Sequence, residues 1–292
     1  MRVLVTGATG QLGAEVASGF GRSGHEVIAP ARQELDFSHP EQLAESARAL
    51  QADWVINCAA YTQVDKAESD AQQAGIVNRD SPEQLALAVA DYGGRMLQVS
   101  TDFIFDGAQR RPYLETDSPN PLGVYGRSKL EGEQAVQRVL PDAVVLRTAW
   151  VYGVHGHNFV KTMLRMATAG KPLRVVNDQV GTPTWTADIA ATIAALIAGG
   201  ASGTFNFTNA GETSWHGFAS AILDEGLQAG FDIKTEMVDP IPTIDYPTPA
   251  TRPAYSVLNT EKIRPLLPGP IPGWRDSLKN MLQELYTCAD CL

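Results

Sequence analysis

The chain reads as an α/β protein, with a doubly wound parallel sheet and a smaller C-terminal domain. Three observations carry that reading. Short apolar runs alternate with longer amphipathic ones through the first half, a glycine triplet opens the first helix, and the alternation loosens after about residue 150. "RVLVTG" predicts a first strand and "QLGAEVASGFGRSG" the helix after it. "HEVIAP" and "PEQLAESARALQ" repeat the unit, as do "DWVINCAA" and "SPEQLALAVADYG". "RMLQVST" and "AVVLRTAWVYG" supply two further strands, with the helix "VYGRSKLEGEQAVQRVL" between them. Parallel strands need crossover connections, so this alternation puts helices on both faces of one sheet. The segment "VDPIPTIDYPTPATRP", 238–253, is proline-rich and is followed by apolar runs. It is expected to be a long ordered loop over a site rather than a linker. The expected division is 1–150 as one domain, rejoined by part of 173–210, with 151–172 and 211–292 forming mainly the other.

The 292 residues, 44% hydrophobic and 19% charged, suffice for a sizeable core. A formal net charge of -10 with no basic tract argues against nucleic acid or an anionic membrane surface as partner. Any anionic ligand must then be held by local groups. Cys58, Cys288 and Cys291 are too few and too unevenly placed for a disulfide framework, which points to a reducing compartment. Cys58 is expected to be a small buried residue. Cys288 and Cys291 form a C-x-x-C without the setting of a redox motif or a second ligand pair for zinc, and read as a tail feature. "VLVT" is too short for a signal-peptide core and no stretch approaches a membrane span, so a cytoplasmic location is expected.

Gly7, Gly10 and Gly13 in "VTGATGQLG" follow a strand and open a helix. One glycine permits the tight turn, the next lets backbone approach a pyrophosphate, and the third lets helix and strand pack closely. The helix N-terminus adds free N–H groups for the anion. A Rossmann-like dinucleotide site is therefore expected in the first domain, leaving the second to bind substrate. At the end of the second strand, where NAD enzymes place a carboxylate, the chain reads Ala29-Pro30-Ala31-Arg32. A guanidinium there favours the 2′-phosphate of NADPH, with NADH as the alternative cofactor. Asp36 and Phe37, just beyond, are placed to meet the adenine or to form a turn before the next helix.

The fourth strand ends in "VSTDFIFDG", bringing Val99, Ser100, Thr101 and Asp102 to the sheet edge where such folds bind ligands. Tyr125 and Lys129 lie four positions apart in the next helix, on one face of it. A hydroxyl, a phenol and an ammonium together can reduce a carbonyl with a hydride-donating cofactor. The phenol supplies the proton, the hydroxyl bonds the carbonyl oxygen and the ammonium lowers the phenol's pKa. Moving a tyrosine from about 10 to about 7 takes roughly 4 kcal/mol.

"TGATGQLG", "STDFIFDG" and "YGRSK" together resemble the extended short-chain dehydrogenase/reductase family. "NCAAYTQVDKAESD", "RTAWVYG", "NFVKTMLRMA", "VVNDQVGTPTW" and "YPTPATRPAYSVLNTEK" resemble, within it, the dTDP-4-dehydrorhamnose reductases over nearly the whole chain. The resemblance implies reduction of the C4 carbonyl of a dTDP-sugar, with Thr101, Tyr125 and Lys129 as catalytic residues. It implies that Gly10, Gln11 and Leu12 contact the pyrophosphate, Asp36 and Phe37 the adenosine side, and Ala60, Tyr61 and Thr62 the middle of the cofactor. Val99 is expected beside them, and Lys129 at the nicotinamide ribose. Asp102 and Trp150 would hold the sugar nucleotide, and Arg252, in the proline-rich loop, suits a diphosphate. Relatives can pair through magnesium at a glutamate-built dimer interface. Glu15 fits one such position but has no evident counterpart later in the chain, so magnesium is not predicted, while a homodimer stays open. A 4,6-dehydratase is disfavoured because Phe103 follows Asp102 where those enzymes carry a second carboxylate. An epimerase and a non-catalytic regulatory subunit remain as alternatives.

Overall fold

The computed structural model describes residues 1–288. Its strands and helices are β1 (Arg2–Thr6), α1 (Gln11–Arg22), β2 (Glu26–Ile28), α2 (Pro40–Leu50), β3 (Trp54–Asn57), α3 (Val64–Ala67), α4 (Ala71–Gly75), α5 (Ser81–Asp91), β4 (Arg95–Thr101), α6 (Val124–Val139) and β5 (Val144–Thr148). They continue as β6 (Val151–Tyr152), α7 (Phe159–Thr168), β7 (Leu173–Val176), β8 (Val180–Gly181), β9 (Thr184–Trp185), α8 (Thr186–Ala198), β10 (Gly203–Asn206), β11 (Thr213–Ser214), α9 (Trp215–Ala229), β12 (Val238–Ile241) and α10 (Trp274–Thr287).

Strands β3 and β5 are buried at every position and β1 at all but its first, because each has neighbours on both sides and helices on both faces. Six strands form one parallel sheet in the order β10-β5-β4-β3-β1-β2, a Rossmann-like arrangement. The chain runs from β1 to β2 on one side and then to β3 on the other, so a crevice opens outside the C-terminal ends of β1 and β3. Helices α1 and α8 cover one face, with Val16, Phe20, Ile189 and Ile193 against Val5, Ile56 and Leu146. Helices α2, α5 and α6 cover the other, with Leu43, Leu85 and Val136 against Leu4, Val55 and Met96. A second core joins α7, α9 and α10 through Leu164, Phe218, Ile222 and Leu282. Among the described residues no helix is long and apolar enough to cross a membrane.

The predicted strand "AVVLRTAWVYG" divides into β5 and β6, which belong to different sheets. Trp150 breaks it with φ 45°, a left-handed conformation that a strand cannot pass through. Part of the proline-rich segment forms β12, where Pro240 sits in a two-stranded sheet with β7. Proline is tolerated there because a two-stranded sheet has only edges.

Helix α6 is seated tightly. Glu68 caps its start by accepting the Val124 N–H at 2.9 Å. A Cβ at Gly132 would collide with the backbone carbonyl of Asn78, in the π-helical turn Ile76–Asp80. One residue on, Glu133 forms a buried ion pair with Arg147 of β5, Nη2 to Oε2 at 2.7 Å. An alanine inside an ordinary helix gains about 1 kcal/mol over glycine. At Gly132 the overlap reverses the sign, and Gly132→Ala is expected to lower urea-unfolding stability by about 1–3 kcal/mol.

Candidate active site

An open cleft of about 1020 Å³ lies over the C-terminal edge of the sheet and reaches the second core. Gly7, Gly10, Gln11, Leu12 and Gly13 form one wall. Gly7 has φ 65°, and a Cβ on it would stand 2.8 Å from the Ala59 nitrogen. A Cβ on Gly13 would collide with the Gly7 carbonyl, so the turn admits no side chain at either place. Gly10 precedes α1 without a side-chain cap, so the first-turn N–H groups are left without a side-chain acceptor at this wall, an arrangement that suits an anion. The residues therefore fit a dinucleotide.

Arg32, Phe37, Ala60, Tyr61, Thr62 and Val99 also line the cleft. Asp36 does not. Its Oδ1 accepts the Ser38 N–H at 2.8 Å, and that bond holds the carboxyl below its usual range. Phe37 is only 6% exposed and serves the core as well as the cleft.

Thr101, Asp102, Tyr125 and Lys129 meet at the cleft floor. The Tyr125 ring packs edge-on against Phe103, centroids 5.5 Å apart. The Thr101 hydroxyl donates to Asp102 Oδ1 at 3.1 Å and accepts the Phe103 N–H at 3.2 Å. Lys129, buried, donates to the Val99 carbonyl at 2.7 Å. Burial lowers its pKa to about 8, against the opposing attraction of Glu133. The expectation that Lys129 lowers the phenol's pKa is not met in this arrangement. Burial pushes Tyr125 up to about 12, the Thr101 hydroxyl opposes that, and the charge that acts on it is Asp102, which raises it further. The Lys129 ammonium is bonded to the Val99 carbonyl, and burial dominates at the phenol.

Asp102 is 2% exposed, and its Oδ2 has no hydrogen-bond partner. Burial raises its pKa to about 6, with Ser256 and Thr101 favouring the anion. The Ser100 and Thr148 hydroxyls are likewise buried, unpartnered and on the cleft lining. Thr148 went unnoticed in the sequence. Its only signal was its position at the end of the fifth strand, and the register pairs it with Thr101.

Trp150 lines the cleft and also packs on the second core. It stacks on Trp215 at 3.6 Å between centroids and 7° between planes, with Phe159 and Phe218 beside them. Trp215 carried no sequence signal and Phe159 only its place in "NFVKTMLRMA", because aromatic residues far apart in the chain read as core. Arg252 reaches the cleft but is bound to Asp65, Nη2 to Oδ2 at 2.8 Å and Nη1 to Oδ1 at 3.0 Å, and to the Thr248 hydroxyl. It ties the proline-rich loop to the start of α3 rather than standing free for a diphosphate. Cys58 is partly buried, packs against the core under α1 and α8 and also lines the cleft, and burial pushes its thiol up to about 12, with the Lys129 charge opposing. Cys291 lies outside the described residues, so the terminal C-x-x-C is not described as a pair. Burial and the Glu15 charge raise the pKa of Glu284 of α10, with His155 and Arg22 opposing, and among the described residues no group of three or more His, Cys, Asp or Glu could hold a metal ion.

The family model described as the RmlD substrate binding domain matches residues 1–287. A dTDP-4-dehydrorhamnose reductase of Burkholderia thailandensis is 42% identical, covering 98% of this chain and 100% of the relative. The structure of such a reductase from Clostridium acetobutylicum superposes with a TM-score of 0.91 at 40% identity, covering 98% of this chain and 99% of that one. A Bacillus anthracis reductase in complex with NADP reaches the same TM-score at 32% identity, covering 97% and 99%. On a match of that extent, the chain belongs to the family of the RmlD substrate binding domain.

Proposed function

We propose that this protein reduces the C4 carbonyl of dTDP-4-dehydro-β-L-rhamnose to dTDP-β-L-rhamnose with NADPH. The observation that carries the reading is the convergence of Thr101, Asp102, Tyr125 and Lys129 on one buried floor beside the glycine wall. NADPH, when bound, supplies the hydride to the sugar C4. Tyr125 donates its phenolic proton to the carbonyl oxygen, and Thr101 bonds the same oxygen. Lys129, as the ammonium, donates to the nicotinamide ribose. Asp102 accepts a hydroxyl of the sugar at its free Oδ2, and Trp150 with Trp215 offers an apolar wall to the ring. Gly7, Gly10 and Gly13 leave room for the pyrophosphate, with Gln11 and Leu12 beside it. Arg32 takes the 2′-phosphate, the only part that distinguishes NADPH from NADH. Arg252 acts through Asp65 by fixing the loop at the cleft. An epimerase would return its cofactor unchanged, so stoichiometric consumption of NADPH separates the two activities.

Tyr125→Phe removes the proton donor and keeps the ring. It is expected to lose about 10²–10⁴-fold in kcat while NADPH binding, followed by fluorescence titration, is retained. Equal turnover in the variant and the wild type would overturn the mechanism, and equal inactivity of both would favour a regulatory subunit.

The pH dependence of kcat/KM reports the free enzyme. Tyr125, at about 12, stays a protonated donor throughout. Asp102 loses its accepting charge as pH falls through about 6, and Lys129 loses its ammonium as pH rises through about 8. A bell with limbs near those values is expected, and Asp102→Asn should flatten the acid limb.

NADPH should give the higher kcat/KM of the two cofactors. Arg32→Ala should cost about 10–100-fold with NADPH and little with NADH, the loss of a charged hydrogen bond of about 1.5–3 kcal/mol.

A further inference from the structure

Helix α6 carries Tyr125, Lys129 and Glu133 at four-residue spacing, on one face. The mechanism above employs the first two. Glu133 does not line the cleft; it is 2% exposed and lies one turn deeper than Lys129. Arg147 of β5 grips it, with Nη2 to Oε2 at 2.7 Å and Nε to Oε1 and Oε2 at 3.0 and 3.2 Å, while Arg147 Nη1 donates to the Glu115 carbonyl at 3.2 Å. Beside that pair, Lys129 Nζ donates to the Val99 carbonyl on β4. The next residue, Ser100, is the register partner of Arg147.

Two cations, Lys129 and Arg147, thus share this buried region with the Glu133 carboxylate, and Asp102 lies on the same cleft floor as Lys129. An ammonium removed from water tends to lose its proton unless an anion stands near it. The groups around Lys129 are Cys58 just after β3, Asp102 just after β4 on the cleft floor, Tyr125 and Glu133 from its own helix, and Arg147 from β5 behind Glu133. Cys58 and Tyr125 both titrate near 12 and are neutral at ordinary pH. Attraction to Glu133 is the chief influence opposing the burial that drives Lys129 toward its neutral form. Glu133 is bonded to Arg147 and Lys129 to the Val99 carbonyl, so the carboxylate acts on the ammonium from one turn away on the same face of α6 rather than by contact. Stability alone is a weak reason for such a pair, since a buried ion pair is often no better than apolar residues of the same volume.

We infer that Glu133 is a positioning residue for Lys129: clamped by Arg147, its buried carboxylate holds the ammonium charged and in place at the cleft floor. The inference rests on the reading of Lys129 as the cation of the reaction.

The test is a pH titration of the full chain labelled with ¹³Cε-lysine, followed by NMR, with the Lys129 signal assigned by its loss in Lys129→Met. The wild-type midpoint is expected near 8. Glu133→Gln, nearly isosteric but uncharged, should lower it by about one pH unit. Glu133→Gln with Arg147→Met removes both charges, leaves no lone buried cation, and should lower the midpoint as well, whereas Glu133→Asp should keep it near the wild-type value. An unchanged midpoint in the Gln and double variants, with only a lower melting temperature, would overturn the inference. The alkaline limb of kcat/KM is measured alongside. If the NMR midpoint moves and the limb stays, Glu133 does hold Lys129, and it is the catalytic reading of Lys129 that fails.

Discussion

The seating of α6 against the sheet is the constraint on which the site depends. Gly132 lets the helix approach the Asn78 carbonyl, Glu133 locks it to Arg147 on β5, and Glu68 closes its first turn. A helix rotates about 100° per residue, so fixing Gly132 and Glu133 fixes which way Lys129 and Tyr125 face. A buried ion pair is directional in a way that leucine packing is not, and here it sets both height and rotation.

The sheet supplies the other half of the arrangement. Parallel order brings every strand's C-terminal end to one edge, so Val99, Thr101 and Thr148 arrive together although 47 residues separate Thr101 from Thr148. Burial at that edge is costly for Asp102 and Lys129, whose pKa values move toward the neutral form, to about 6 and about 8. Groups so placed can change charge near neutral pH, which suits a site that must handle a proton. Asp102 keeps one oxygen without a protein partner, and the neighbouring hydroxyls of Ser100 and Thr148 do the same. Buried polar groups are nearly always bonded, so three such atoms along one cleft mark where a polar ligand belongs.

The second core shapes the opposite wall. Trp150 holds a left-handed backbone conformation, which costs a non-glycine residue free energy. Its reward is the flat stack on Trp215, possible only where β5 breaks and the chain turns toward the second core. The Arg252–Asp65 pair then fastens the proline-rich loop across from that wall.

The sequence by itself determined what is local. Periodicity marked the strands and helices of the first half, the glycine spacing marked the turn that fits a dinucleotide, and the four-residue spacing marked Tyr125 and Lys129 as neighbours, because these depend on residues a few positions apart. The tertiary structure decided what depends on distance and on the surrounding dielectric. It set the phenol above its ordinary pKa rather than below, turned Arg252 to Asp65, kept Asp36 off the cleft, joined Trp150 to Trp215, and brought the Glu15 charge to bear on Glu284. None of these could be read from spacing. Burial and the partners that a charge finds are sums over segments far apart in the chain, and they exist only once the chain has folded.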